Sequence, residues 1–361
     1  MSKTVILSAG GTGGHLFPSQ ALAQEMKARG WVVHLATDPR AEKFLSSFPA
    51  DGVHIVKSAT FGGKSPVALF KTFSRLGLGY LASRRLIRKI KPDAAVGFGG
   101  YPTVPPLLAA SHAGLPTILH EQNAVMGRAN RFLASRVAAI ATGFELAHAK
   151  AADSAPVIVT GNPLRQVAHD AAGEAYVPAT ANGPFNLLVF GGSQGARFFS
   201  QSLPPMLERL DDSARQRLNI TLQARPEDAV LVREALEKLN VTAHVESFFS
   251  DLPARIAASH LVVCRSGASS VSELALIGRP SILVPLPGAL DDDQGANAAQ
   301  LERMGGAVLV RQADLTTDRY ASFITNALQN PQALAFQADN AKKAGVPDAA
   351  KRLAQVVEAH V

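Results

Sequence analysis

The chain has 361 residues, 47% of them hydrophobic and 18% charged, with a single cysteine. That supplies two domains with cores of their own, excludes a disordered chain and leaves no internal disulfide. The net charge of +7 has one source: residues 52–92 hold nine Lys and Arg and no Asp or Glu, and removing those nine leaves −2 for the remainder.

Short β-rich runs alternate with helical patterns from the first residues. A strand at 4–8 enters Gly10-Gly11-Thr12-Gly13-Gly14-His15 and then a helical pattern, with Pro18 suiting an early turn and Gly30 its C-terminal end. A strand at 32–36 is followed by Asp38-Pro39, and then comes the basic segment, in which apolar and cationic residues interleave from Val67 to Leu78. The apolar start at 4–8 is too short for a secretory signal. The uncharged stretch 94–119 is interrupted by glycines and prolines, so it reads as strand, loop and buried helix, not as a membrane span. It contains a strand at 94–97 ending in Gly99-Gly100-Tyr101 and a strand at 117–120 ending in Glu121-Gln122-Asn123. Strands at 138–142 and 157–160 close the first half, with a boundary near Gly161-Asn162-Pro163.

The second half repeats the scheme with strands at 186–190, 219–223, 244–246, 261–265, 281–284 and 307–310. Its first strand also runs into a glycine turn, Gly191-Gly192-Ser193-Gln194-Gly195. Continuous apolar strands separated by helices imply an α/β chain of two doubly wound parallel-sheet domains. A last helix at about 349–360 could pack on either.

A glycine turn between strand and helix lets a phosphate approach backbone N–H groups and the positive end of a helix. Two such turns, heading opposite halves, point to a phosphorylated ligand. A Walker loop is excluded for want of Gly-Lys-Ser/Thr, and the dinucleotide fingerprint fails where Leu16 replaces its third glycine. Asp38 keeps a nucleotide-dependent oxidoreductase open as an alternative, against a plain turn role before Pro39. His15, directly after the first glycine turn, is a candidate general base if its imidazole is neutral. His120-Glu121-Gln122-Asn123 lies past the carboxyl end of a strand, the ligand side of such a sheet. In Arg265-Ser266-Gly267-Ala268-Ser269-Ser270-Val271-Ser272-Glu273, small residues leave room for a ligand and Glu273 could hold a ribose diol. Ser270 and Glu273 equally fit a capping box, and spacing alone favours that. Asp291-Asp292-Asp293 reads as a solvated loop instead of a metal site, and Cys264, in an apolar run, as a buried hydrophobe. The basic segment suits an anionic membrane surface or the solvated face of a packed helix; no motif supports nucleic acid.

Together these motifs, with Gly161-Asn162-Pro163-Leu164-Arg165 and Gln294 followed by Asn297-Ala298, resemble the MurG family of bacterial peptidoglycan glycosyltransferases nearly end to end. The resemblance implies a GT-B fold, two Rossmann-like domains facing a central cleft: 1–162 on the acceptor and membrane side, 163–340 binding the UDP-sugar, and 341–361 returning to the first. It implies inverting transfer of N-acetylglucosamine from UDP-N-acetylglucosamine to undecaprenyl-diphosphate-linked N-acetylmuramyl-pentapeptide (lipid I), giving lipid II, without cofactor or metal. The protein would sit peripherally on the cytoplasmic face of the bacterial membrane through residues 64–91, alongside other cell-wall synthesis proteins.

Carried over by position, His15 would be the base, with Glu121 as its substitute. Thr12, Gly13 and Gly14 would border the transfer site, Asn123 and Gln294 would contact the sugar, and Arg165 and Ser193 the diphosphate. Phe249 would meet the uracil through its backbone, and Ala268, Ser269, Ser270, Val271, Ser272 and Glu273 would hold the nucleotide. Ala224-Arg225-Pro226 departs from the family's usual Gly-Lys turn, and Asp293 stands where a basic residue or histidine is frequent. A related glycosyltransferase with another acceptor, or a non-catalytic nucleotide-sugar module, fits much of the same pattern.

Overall fold

The computed structural model describes residues 2–11, 13–56, 66–147 and 155–361, and only the backbone of 43, 44, 66–73, 193–196 and 290. Thr12, Lys57 and Lys64 lie outside the described residues, as do the side chains of Lys71 and Ser193. The chain divides into two compact units, Met1–Arg165 with Asp348–Val361, and Gln166–Pro347.

The first unit is built on seven strands: β1 (Thr4–Ser8), β2 (Val32–Thr37), β3 (Gly52–Ile55), β4 (Ala94–Gly97), β5 (Thr117–Glu121), β6 (Ala139–Thr142) and β7 (Val157–Val159). They pair in parallel in the order β3-β2-β1-β4-β5-β6-β7. β4 and β6 are buried at every residue, as central strands covered on both faces must be. β3 escapes the sequence reading because it is a four-residue edge strand, opened by a glycine and alternating half-buried and exposed positions.

Val5 and Leu7 of β1, Val33 and Leu35 of β2, and Leu22 and Met26 of helix Gly13–Ala28 share one core. Leu353, Ala354, Val356 and Val357 of the last helix, Ala349–Glu358, complete it. Arg29 Nη1 meets Glu358 at 2.6 Å and fixes the helix end. Pro18 falls in the second turn of helix Gly13–Ala28, an early turn as expected. The unit ends at Arg165 because Asn162 and Arg165 still bind first-unit groups: Asn162 Nδ2 donates to Gln122 O at 3.0 Å, and the Arg165 guanidinium lies 3.9 Å over the Phe17 ring. At the other end, residues 341–347 stay with the second unit, where Lys342 Nζ donates to the carbonyls of Ala172 and Leu276.

The second unit carries β8 (Phe185–Phe190), β9 (Leu218–Gln223), β10 (Thr242–Glu246), β11 (Leu261–Cys264), β12 (Ser281–Leu283) and β13 (Ala307–Leu309), parallel in the order β10-β9-β8-β11-β12-β13. Its core joins Leu187 and Val189 to Phe199, Leu203, Ile220, Tyr320 and Ile324. Cys264 is buried, and burial raises its thiol pKa, the behaviour of a core residue instead of a nucleophile. The departure at 224–226 has a structural use: Arg225 is the N-cap and Pro226 the first residue of helix Pro226–Lys238, where a missing N–H costs nothing.

In each sheet the strand order reverses beside the first strand, between β1 and β4 and between β8 and β11. The crevice past the carboxyl ends at such a point is where open α/β sheets bind ligands. The glycine turns emerge there. Among the described residues, no helix is long and apolar enough to cross a membrane.

Candidate active site

In the first unit the turn after β1 and the turn after β4 press together. A Cβ on Gly10 would stand 2.4 Å from Pro102 Cγ, so only glycine allows this approach. Gly100 has φ 78° and ψ 159°, a conformation open essentially to glycine. Gly13 and Gly14 begin helix Gly13–Ala28 and His15 follows in its first turn. The His15 ring lies beside Gly100: a Cβ there would be 3.6 Å from Nε2. His15, Gly99, Gly100, Glu121, Asn123 and Asn130 line a cavity of about 290 Å³.

Behind it, the polar residues at the end of β5 form a connected set. His15 Nδ1 is 3.0 Å from Gln122 Oε1, Gln122 Nε2 is 3.0 Å from His120 Nδ1, and His120 Nε2 is 3.2 Å from the carbonyl of Gly161. His120 is fully buried, and burial lowers its pKa to about 4 despite the Gly161 hydrogen bond.

Glu121 is also buried, and its carboxylate is spoken for. Oε1 accepts from Asn123 N (3.0 Å) and Asn123 Nδ2 (3.3 Å); Oε2 accepts from Gly127 N (2.9 Å) and Asn130 Nδ2 (2.8 Å). A carboxylate so engaged organises the 121–130 loop and has little left to take a substrate proton. Sequence reading named Gln122 without a role and missed Asn130 altogether, because their partners are remote in the chain.

In the second unit the helix after β11 runs Ala268–Ile277, with Gly267 as N-cap and no side-chain cap. The capping-box reading of Ser270 and Glu273 therefore fails: Ser270 is the third helical residue and Glu273, largely buried, the sixth. Gly267 has nothing within 4 Å of a built Cβ, which leaves open space at this helix start. Ser266 Oγ donates to Gln294 O (2.8 Å) and Asn297 Nδ2 to Ser266 O (3.2 Å), tying the start of helix Asp293–Arg303 to this turn. Gln294 Oε1 accepts from Leu286 N at 3.0 Å.

Arg265 is a strap. Its Nη1 donates to the carbonyls of Val284 and Pro285 and its Nη2 to Gln312 Oε1. Gln223 links two rim loops, accepting from Gly191 N and donating to Ser247 O. Phe249 is buried under Arg255, whose guanidinium lies 4.4 Å over the ring, so backbone is what Phe249 itself can offer a ligand, while its neighbour Phe248 is exposed.

Two sequence alternatives lose support. Asp38 caps the turn at Pro39–Ala41 and pairs with Arg40 at 2.7 Å, a turn residue's role. Asp292 is held by both terminal nitrogens of Arg311, and Asp293 Oδ1 accepts from Gln294 N, so these carboxylates brace their own loop.

Two parallel α/β sheets of this order, each with a glycine turn at its switch point, define a two-domain protein of the GT-B fold. The chain belongs to glycosyltransferase family 28, whose N-terminal domain matches residues 5–142 and whose C-terminal domain matches 186–353. It is similar to the UDP-N-acetylglucosamine–N-acetylmuramyl-(pentapeptide) pyrophosphoryl-undecaprenol N-acetylglucosamine transferase of Rhizobium meliloti (strain 1021): 56% identity over 355 residues, 98% of this chain and 95% of the relative. The protein of that name from Brucella abortus (strain S19) is 56% identical over 98% of this chain and 93% of its own. Among solved structures, Acinetobacter baumannii MurG superposes with a TM-score of 0.78 at 30% identity, covering 99% of each chain.

Proposed function

We propose that this enzyme transfers N-acetylglucosamine from UDP-N-acetylglucosamine to undecaprenyl-diphosphate-linked N-acetylmuramyl-pentapeptide, converting lipid I to lipid II. The observation that carries this reading is the 56% identity, over 98% of the chain, to transferases of that name.

In the mechanism that fits the residues, the acceptor sugar enters the first-unit cavity with its hydroxyl at His15 Nε2. The nitrogen takes the proton as the oxygen attacks the anomeric carbon of the donor from the face opposite the diphosphate. The carbon–oxygen bond to the diphosphate breaks, UDP leaves with the electron pair, and the anomeric centre inverts. Asn123 borders the same cavity and serves the sugar. Gly13 and Gly14 bring backbone N–H groups and a helix N-terminus to the acceptor diphosphate. Arg165, with a fork that matches phosphate oxygens, is the cation assigned to the donor diphosphate.

On the donor side, the N-terminus of helix Gly192–Glu208, with Ser193 in its first turn, receives the UDP diphosphate. Residues Ala268, Ser269, Ser270, Val271 and Ser272 carry the nucleotide and Glu273 its ribose hydroxyls, while the Phe249 backbone meets the uracil. Gln294 spends its Oε1 on Leu286, which leaves its amide nitrogen for the transferred sugar. Glu121 holds the loop that shapes the acceptor cavity. Calorimetric titration with UDP-N-acetylglucosamine tests the donor half: micromolar-range binding that Glu273→Ala weakens supports it, and no binding removes it.

The acceptor is a polyprenyl lipid, so the proposal includes peripheral contact with the cytoplasmic face of the membrane. Helix Pro66–Ile90 supports this. Arg75, Leu78, Leu81, Arg85 and Arg88 recur at three- and four-residue spacing and are exposed, Leu78 at 57% and Leu81 at 51%. Basic residues near an anionic surface each add about 1 kcal/mol. Binding to anionic vesicles that weakens with salt and on replacing Arg75, Arg85 and Arg88 by Gln supports the contact; salt-insensitive or absent binding removes it.

A further inference from the structure

We infer that Gln122 is a positioning residue that fixes the tautomer of the catalytic base, holding the His15 proton on Nδ1 and leaving the lone pair of Nε2 toward the acceptor cavity. This rests on the reading of His15 as the base.

The direction of every hydrogen bond follows from one end. The Gly161 carbonyl can only accept, so His120 Nε2 carries the proton of that 3.2 Å bond. A buried neutral imidazole has one N–H, so His120 Nδ1 is bare and needs a donor. Its neighbour at 3.0 Å must then be the amide nitrogen of Gln122, which also donates to the His120 carbonyl at 3.0 Å. That orientation turns Gln122 Oε1 to His15, and an amide oxygen can only accept, so His15 Nδ1 donates over 3.0 Å. Reversing any link sets donor against donor or acceptor against acceptor.

The segment is rigid where it starts. His120 and Gln122 are buried, and Asn162 Nδ2 holds the Gln122 carbonyl at 3.0 Å. In the serine-protease triad a carboxylate orients the histidine and stabilises its cation. Here the orienting group is a neutral amide, which selects the tautomer without adding charge. The charged or titratable groups that share the cavity with the ring are Glu121, Arg128 and Tyr101, and His120 lies behind Gln122; on the adjoining chain, Arg40, paired with Asp38, lies against Gly11, and Arg165 lies over Phe17.

The experiment uses the full chain, labelled with ¹⁵N-histidine, at a pH where His15 is neutral, with His15→Ala assigning the signal. The wild-type ring is expected to show the Nδ1–H tautomer, and Gln122→Met to revert toward the Nε2–H form that free imidazole side chains prefer. Kinetics on the same proteins, with labelled UDP-N-acetylglucosamine and a lipid-I analogue, should show Gln122→Met lowering kcat at least tenfold with the donor KM within threefold. Gln122→Glu should move the acid limb of the kcat–pH profile upward by about one unit, since a carboxylate beside an imidazolium favours it. A merely structural Gln122 would change melting temperature and leave tautomer and profile alone. An Nε2–H tautomer in the wild type, or unchanged kcat and profile in both variants while His15→Ala is inactive, overturns the inference and leaves the base reading standing. Near-normal turnover by His15→Ala overturns both.

Discussion

Asn130 Nδ2 donates to Glu121 Oε2 over 2.8 Å, joining two buried side chains that span the loop after β5. With the N–H groups of Asn123 and Gly127 on the same carboxylate, this contact makes Glu121 the organiser of one wall of the first-unit cavity. Glu121→Ala strands those donors, at about 1–3 kcal/mol for each one left unsatisfied. A lower urea midpoint, with kcat and KM both impaired, is expected. Glu121→Gln should fall between. Full stability with turnover abolished in the Gln variant would return Glu121 to the role of base.

His15→Ala should lower kcat by about 10²–10⁴, the usual contribution of a positioned general base. Donor affinity measured by calorimetry should change less than threefold, because, Arg165 apart, the residues assigned to UDP belong to the second unit. An equal loss in kcat and donor affinity would mark His15 as a binding residue.

Glu273→Ala should have the opposite signature. On the proposal that its carboxylate holds two ribose hydroxyls, its loss should weaken UDP binding at least tenfold, or about 1.4 kcal/mol. A variant that binds UDP normally would leave Glu273 as a helix residue and require another ribose partner.

Stability should fall in acid through His120. Its pKa is lowered from 6.5 to about 4 by burial, so the unfolded chain binds the proton more readily than the folded one. The contribution is fully present above about pH 6.5 and is lost as pH falls toward 4, on the order of 3 kcal/mol at most. Burial also lowers His34, His54 and His260, which add in the same direction. Urea midpoints at pH 7 and pH 5 should differ less in His120→Gln than in the wild type. An identical difference would place the acid sensitivity elsewhere.

Leu353→Ala should cost about 2–5 kcal/mol, as leucine truncations in packed cores do, and the loss should be local. Leu353 is fully buried beside Leu22 and Met26. Hydrogen exchange should speed up in Thr4–Ser8 and Gly13–Ala28 and stay unchanged in Phe185–Phe190. Faster exchange in the second unit instead would contradict the assignment of the last helix.

The central strands were legible because buried parallel strands carry mostly apolar runs: β1 and β4 are read to the residue from Thr-Val-Ile-Leu-Ser and Ala-Ala-Val-Gly. β3 was not, since an exposed edge strand needs no such run. The motifs located both candidate subsites, yet spacing could not assign roles within them. His120, Glu121 and Gln122 are adjacent, but their bonds reach Gly161, Asn130 and His15, the last 107 positions away. The Ser270–Glu273 capping pattern misled for a related reason. A helix can begin at a glycine whose backbone suits the turn, and Gly267, three residues earlier, takes that place.

The most direct measurement is sugar transfer itself, with purified protein, radiolabelled UDP-N-acetylglucosamine and a lipid-I analogue in detergent. The account predicts a disaccharide-linked lipid product, formed with inversion and lost in His15→Ala. Absence of transfer across detergents and pH, in protein that still binds the UDP-sugar, would contradict the proposed acceptor.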